Sequence, residues 1–229
     1  LSLKDITFTY YESDGSPGFS SGPFSLTFRS GEIVFLVGGN GSGKSTFVKI
    51  LTGLYPPTSG SVMVDGKSVS EHRELFSPVF SDFHLFDALY GIEKPDEQKI
   101  RELLEQMWLS RKTAYTDGRF TTLDLSAGQR RRLALVVALQ ENRPFYVFDE
   151  WAADQDPVFR RWFYEELLPG LKEQGKTVLV VTHDDRFYHL ADRLITMKDG
   201  KIEDDRRGGM LERKISDLRQ SPSVTPDEG

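Results

Sequence analysis

The chain has 229 residues, room for one large α/β domain or a domain with a subdomain. Hydrophobic residues make up 38% and charged residues 28%, ordinary for a globular protein, and the net charge of −6 provides no global basic field for nucleic acid. The absence of cysteine excludes structural disulfides, Cys-based zinc sites and Cys-ligated iron–sulfur clusters, and no apolar run approaches the roughly 18 residues that mark a membrane-spanning helix.

The first residues, LSLKDITFTYY, alternate as a strand over 1–10, with Leu3, Ile6, Phe8 and Tyr10 in phase. They carry no basic segment followed by an apolar one, and residue 1 is not methionine, so the chain is expected to be cut from something longer. A Gly/Ser/Pro-rich loop is expected at 12–23 and a second strand near 24–29. The apolar run Ile33-Val34-Phe35-Leu36-Val37 then leads into GGNGSGKST at 38–46, and Phe47-Val48-Lys49-Ile50-Leu51 reads as a helix. This string fits G-x-x-x-x-G-K-[ST] in the strand–loop–helix setting the pattern requires. Gly38, Gly41 and Gly43 let the backbone curl so that successive N–H groups of Asn40, Ser42, Lys44, Ser45 and Thr46 face one anion. The helix that follows adds its positive end. Lys44 is placed to reach the β- and γ-phosphates of a nucleotide, and the Ser45 hydroxyl to ligate Mg²⁺.

Further along, Asp65-Gly66 marks a hairpin turn at 62–67, and residues 71–140 read as mostly helical. One helix is expected from about 96 to 108, with Ile100, Leu103, Leu104 and Met107 in phase, and another from Ser126 through Leu133, Val136, Val137 and Leu139. The run Arg130-Arg131-Arg132 reads as a solvated helix face. Residues 145–148 form a short apolar strand that ends in Asp149-Glu150, an acidic pair positioned to hold a metal and to polarise water. Asp156 caps a helix with Pro157 at its first position, and its apolar face is Phe159, Trp162, Phe163 and Leu167. A buried strand at 178–182 and a hairpin around Asp199-Gly200 close the domain. After about Glu203 the composition turns to Arg, Asp, Gly, Ser and Pro, so 205–229 is expected to be poorly ordered, with a short helix at 210–218 as the exception. Strands alternating with helices predict a mainly parallel sheet.

Leu125-Ser126-Ala127-Gly128-Gln129 carries a capping box, Ser126 with Gln129, which is complete as local helix chemistry. Together with the glycine loop and Asp149-Glu150, this LSxGQ string resembles the signature of ABC-type ATPases, over roughly 1–204. The resemblance implies an α/β phosphate-loop NTPase fold of ABC type: a mainly parallel core sheet, an antiparallel β-subdomain and a helical subdomain at about 71–140. It implies ATP and Mg²⁺ as ligands. It assigns Ser126, Gly128 and Gln129 to the γ-phosphate held by a second copy in a head-to-tail homodimer. It assigns Tyr10, or else Tyr11, to adenine stacking, His183 to a γ-phosphate switch, Asp156 to a loop crossing the dimer interface, and Asp149 and Glu150 to metal and water, Asp149 directly or through water. Catalysis then falls to Glu150, His183 and Lys44.

Two positions depart from the common family pattern. Ser81 stands where a metal-ligating glutamine is usual, which implies a water bridge or help from Asp82. DEWAADQDP at 149–157 replaces the usual proline-threonine-serine-alanine-leucine run, with Trp151 in place of proline. That string and VFSDFHLFD resemble the cyclic-peptide exporters of the family, which move siderophores such as pyoverdine, lipopeptides such as syringomycin, and lasso-type microcins; a pyoverdine-type exporter is the specific expectation. The resemblance implies a fused transmembrane domain as partner, no nucleic acid, and a place at the cytoplasmic face of a bacterial inner membrane. A non-transport ABC ATPase and a nucleotide-gated module with weak hydrolysis are the other readings. Phe83, Leu85, Phe86 and Leu89 are expected to form an exposed sticky patch for the membrane domain.

Overall fold

The computed structural model describes residues 1–92 and 94–208; the expected helix at 210–218 lies outside them. Strands β1 (Ser2–Tyr11) and β2 (Pro17–Thr27) pair antiparallel. β2 begins well before the expected position at 24–29 because it is an edge strand, and the ladder slips in register past Gly22-Pro23, where a residue without an N–H is tolerated. β3 (Ile33–Val37) is buried at all five positions and feeds the glycine loop and α1 (Lys44–Leu51). β4 (Ser59–Val64) pairs with β1 and turns through Asp65-Gly66, both at positive φ (48° and 82°), into β5 (Lys67–Ser68).

The segment 71–140 is less helical than its pattern suggests. It contains a core strand, β6 (Phe76–Val79), then α2 (Glu97–Gln106), a small hairpin of β7 (Tyr115–Thr116) and β8 (Arg119–Phe120), and α3 (Ala127–Glu141). Pro78 disguises β6, but β6 is the edge of its sheet, so the missing N–H breaks no ladder there. β9 (Phe145–Asp149) is followed by α4 (Pro157–Trp162), a π-turn at Phe163–Leu167 and α5 (Leu168–Glu173). Pro169 lacks the N–H that the Glu165 carbonyl would accept, and the widened turn lies just before it. β10 (Thr177–Val181), β11 (Arg193–Lys198) and β12 (Lys201–Arg207) complete the chain, so the expected boundary at 204 falls inside a strand.

The main sheet runs β12-β11-β3-β10-β9-β6, parallel except for β12, and a second, antiparallel sheet runs β2-β1-β4-β5. Alternation along β3 splits the core. Ile33, Phe35 and Val37 pack with α2–α5, while Val34 and Leu36 pack with α1 and the antiparallel sheet. The parallel register sets Leu36, Val181 and Asp149 side by side, so the loops leaving β3, β9 and β10 emerge at one edge. The expected sticky patch divides: Leu85 and Leu89 are buried and Phe83 is half-buried, whereas Phe86 is exposed and packs edge to face on the exposed Tyr90 at 5.3 Å. No helix among the described residues is long and apolar enough to cross a membrane.

Candidate active site

The glycine loop takes the shape its composition requires. Gly43, in the left-handed region at φ 98°, caps α1, and Gly38 lies at φ 147°. A Cβ on Gly38 would come within 2.1 Å of the Met197 carbonyl and 2.8 Å of Ser42 Oγ. Gly38→Ala is therefore expected to weaken ATP binding at least about tenfold in a calorimetric titration, since backbone strain of about 1–3 kcal/mol falls on the loop itself. Lys44 is buried, and its ammonium donates to the Gly38 and Gly39 carbonyls at 2.9 and 3.1 Å. Burial lowers its pKa, while Glu150 and Asp149 draw it back up. Ser42 Oγ is buried with no partner, Asn40, Gly41 and Ser45 are exposed, and Thr46 Oγ1 lies 3.3 Å from the Tyr10 hydroxyl. That bond joins the expected base-stacking tyrosine to the loop; Tyr10 is exposed, at 38%, and packs edge to face on Phe8 and Tyr55. Tyr11 is more exposed.

Asp149 ends β9 at 1% exposure. Its Oδ2 accepts from Ser81 Oγ at 3.1 Å, while its Oδ1 is buried without a partner. Burial pushes this carboxyl above the usual range, with the Ser81 and Ser45 hydroxyls pulling the other way. A partnerless carboxylate oxygen beside two hydroxyls is an all-oxygen set that suits a hard divalent cation such as Mg²⁺. Asp82, expected to help there, is instead paired with Lys49 at 3.1 Å. Glu150 follows in the left-handed region at φ 54°, its N–H donating to the Val181 carbonyl, and its Oε1 lies 3.2 Å from His183 Nε2. A cleft of about 290 Å³ opens beside this pair, lined also by Arg160, Tyr164 and Arg186.

The signature segment sits apart from the glycine loop, with no hydrogen bond to residues 38–46 among the described residues. Its capping box is formed: Gln129 N–H donates to Ser126 Oγ at 3.4 Å and Ser126 N–H to Gln129 Oε1 at 3.1 Å. The Gly128 carbonyl accepts from Gln155 Nε2 at 3.2 Å. Asp156 caps α4 through the Val158 and Phe159 N–H groups and pairs with Arg132 at 2.6 Å. The arginine run is not a solvated face. Arg131 and Arg132 side chains are only 14% and 12% exposed, because the loop after β9 folds over α3 and offers them acceptors at Glu150, Asp154, Gln155 and Asp156. The guanidinium of Arg132 also lies 3.4 Å from the Phe159 ring centroid. These arginines, Gln155 and Trp151 are the site residues that spacing alone did not single out.

Comparison with known proteins identifies the family. The profile of the ABC transporter family matches residues 22–153. The ATP-binding protein SyrD of Pseudomonas syringae pv. syringae is 49% identical over 90% of the chain and 38% of its own length. The macrolide export ATP-binding/permease protein MacB of Photorhabdus laumondii is 33% identical over 87% of the chain and 33% of its own length. The chain thus spans about a third of the length of each. The dimeric ATP-binding cassette MJ0796, in a post-hydrolysis state bound to ADP and phosphate, superposes with a TM-score of 0.76 at 26% identity, over 90% of this chain and 97% of that one. The chain belongs to the ABC transporter family and is an ATPase domain of it.

Proposed function

We propose that two copies of this domain enclose two ATP molecules head to tail and hydrolyse them to drive export through a membrane domain. The observation that carries this reading is the convergence, at one sheet edge, of Lys44, the unpaired Asp149 Oδ1 and the Glu150–His183 pair. On binding, Lys44 exchanges its two loop carbonyls for phosphate oxygens, and Tyr10 offers its ring to adenine. Ser45, Ser81 and Asp149 would hold Mg²⁺, directly or through water, and the chemistry such an ion would supply is neutralisation of phosphate charge. Glu150 orients a water and takes its proton as the water oxygen bonds to the γ-phosphorus. The bond from that phosphorus to the bridging oxygen breaks, and ADP and phosphate leave. His183 holds the Glu150 carboxylate and reaches the γ-phosphate, while Ser126, Gly128 and Gln129 of the other copy close over it. The dimeric state of MJ0796 supports this arrangement.

We assign the domain to 1–207, the fused transmembrane domain as its partner, and the cytoplasmic face of a bacterial inner membrane as its place. The inferred cargo is a cyclic peptide or peptide siderophore of pyoverdine type. It rests on DEWAADQDP and VFSDFHLFD and on 49% identity with SyrD against 33% with MacB. Phe86 is the exposed remnant of the patch assigned to the membrane domain, and the exposed Tyr90 lies beside it. Phe86→Ser is expected to change stability by no more than about 0.5 kcal/mol and to lower cargo-stimulated turnover in the complete protein; unchanged stimulation would remove the patch from the coupling path. The reading as a whole is tested by phosphate release from ATP. Release that requires Mg²⁺ and stops with EDTA supports it, and ATP binding without release would favour a gating module.

A further inference from the structure

The peptide joining Glu150 to Trp151 is held from two directions by a single residue of α3. Arg131 Nη1 donates to the Glu150 carbonyl at 2.6 Å, and Trp151 Nε1 donates back to the Arg131 carbonyl at 2.8 Å. The second arm of the guanidinium, Nη2, lies 2.9 Å from Asp154 Oδ2. Two bonds of opposite sense between the same segments fix both their separation and their relative rotation. Trp151 is 1% exposed and its ring stacks on Phe163 at 4.6 Å and 23°, so the indole N–H is delivered to its acceptor by packing on the other side. Within this frame Glu150 adopts φ 54° and ψ 29°, a conformation that a residue with a side chain keeps only where its surroundings over-determine it. That conformation sends the carboxylate to His183 Nε2, 3.2 Å away.

We propose that Arg131 and Trp151 form a reciprocal clamp that positions the Glu150 carboxylate for ATP hydrolysis and ties it to the N-terminal turn of α3. The proposal rests on the reading of Glu150 as the base. Both are positioning residues: they act on the nucleotide only through the Glu150 backbone. Trp151, which stands in place of the proline of the common family pattern, thereby gains a role in turnover. Ser126 and Gly128 stand five and three residues before Arg131 on the same helix, so a shift of α3 against the partner copy's nucleotide moves Glu150 as well.

The test uses Trp151→Phe, which keeps a ring on Phe163 but loses the N–H, and Arg131→Met, in the complete protein. Each is expected to lower kcat about 10–100-fold, the scale of a small misplacement of a reacting group, with KM for ATP changed less than about twofold. Arg131→Lys, which keeps one donor for the Glu150 carbonyl, is expected to recover part of the loss. In a Glu150→Gln background neither substitution is expected to lower the residual turnover further. Wild-type kcat in Trp151→Phe, or an equal further loss in the Glu150→Gln background, would overturn the clamp, the second result pointing to general damage. An unsubstituted protein that binds ATP and does not hydrolyse it would overturn the reading of Glu150 and the clamp with it. Hydrolysis indifferent to both substitutions would overturn the clamp alone.

Discussion

Glu150→Gln is expected to keep ATP binding and to lower turnover by about 10²–10⁴-fold, the usual worth of a positioned general base. The substitution preserves shape and keeps a polar group 3.2 Å from His183 Nε2, but an amide cannot take up the proton of the attacking water. The phosphate-binding elements are untouched: Lys44 stays on its loop carbonyls, and Asp149 keeps its bond from Ser81. Nucleotide affinity measured by titration should change little, while phosphate release at saturating Mg·ATP collapses. A loss of less than tenfold would mean that Glu150 is not the base.

Arg193→Met is expected to destabilise the domain by about 2–3 kcal/mol, the cost of losing the charged hydrogen bonds of a buried guanidinium whose main partner, Asp205, faces water. Arg193 is 3% exposed and donates through Nε and Nη2 to both Asp205 carboxylate oxygens at 2.6 Å, and through Nη1 to the Thr27 carbonyl at 2.7 Å. It also lies 3.7 Å from Glu32, which is itself buried and held by the Arg29 N–H and by Arg207. This network fastens the antiparallel sheet, through Thr27, to β11 and β12. It also explains why β12 continues to Arg207 where composition alone suggests a tail. Removing the guanidinium leaves Asp205 and Glu32 short of positive charge. Arg193→Lys should rescue little, because an ammonium cannot reproduce the forked contact. Urea unfolding reads the effect; a change under about 1 kcal/mol would mean that Arg207 compensates alone.

The parts of the site legible in the sequence are those where local chemistry dictates residue type. The glycines of the phosphate loop are needed for backbone shape, Asp149-Glu150 ends a wholly apolar strand, and Ser126 with Gln129 and Asp156 with Pro157 are helix-start chemistry. What stayed hidden depends on partners distant in the chain. Pro78 argues against a strand until the neighbours of β6 show it to be an edge. Arg131 and Arg132 look like a solvent face until the loop after β9 covers them. Asp82 looks available to a metal until α1 brings Lys49 beside it, and half of the cluster around Phe86 packs inward on residues of α2 and α3.

Light scattering after size exclusion on the Glu150→Gln chain, with and without Mg·ATP, asks whether two copies complete each other's site. A mass that doubles only when Mg·ATP is present is the expected result, because the uncleaved γ-phosphate would then bridge Ser126 and Gly128 of one copy to Lys44 of the other. A variant that binds ATP and remains a monomer would contradict the assignment of the signature turn to a partner's nucleotide.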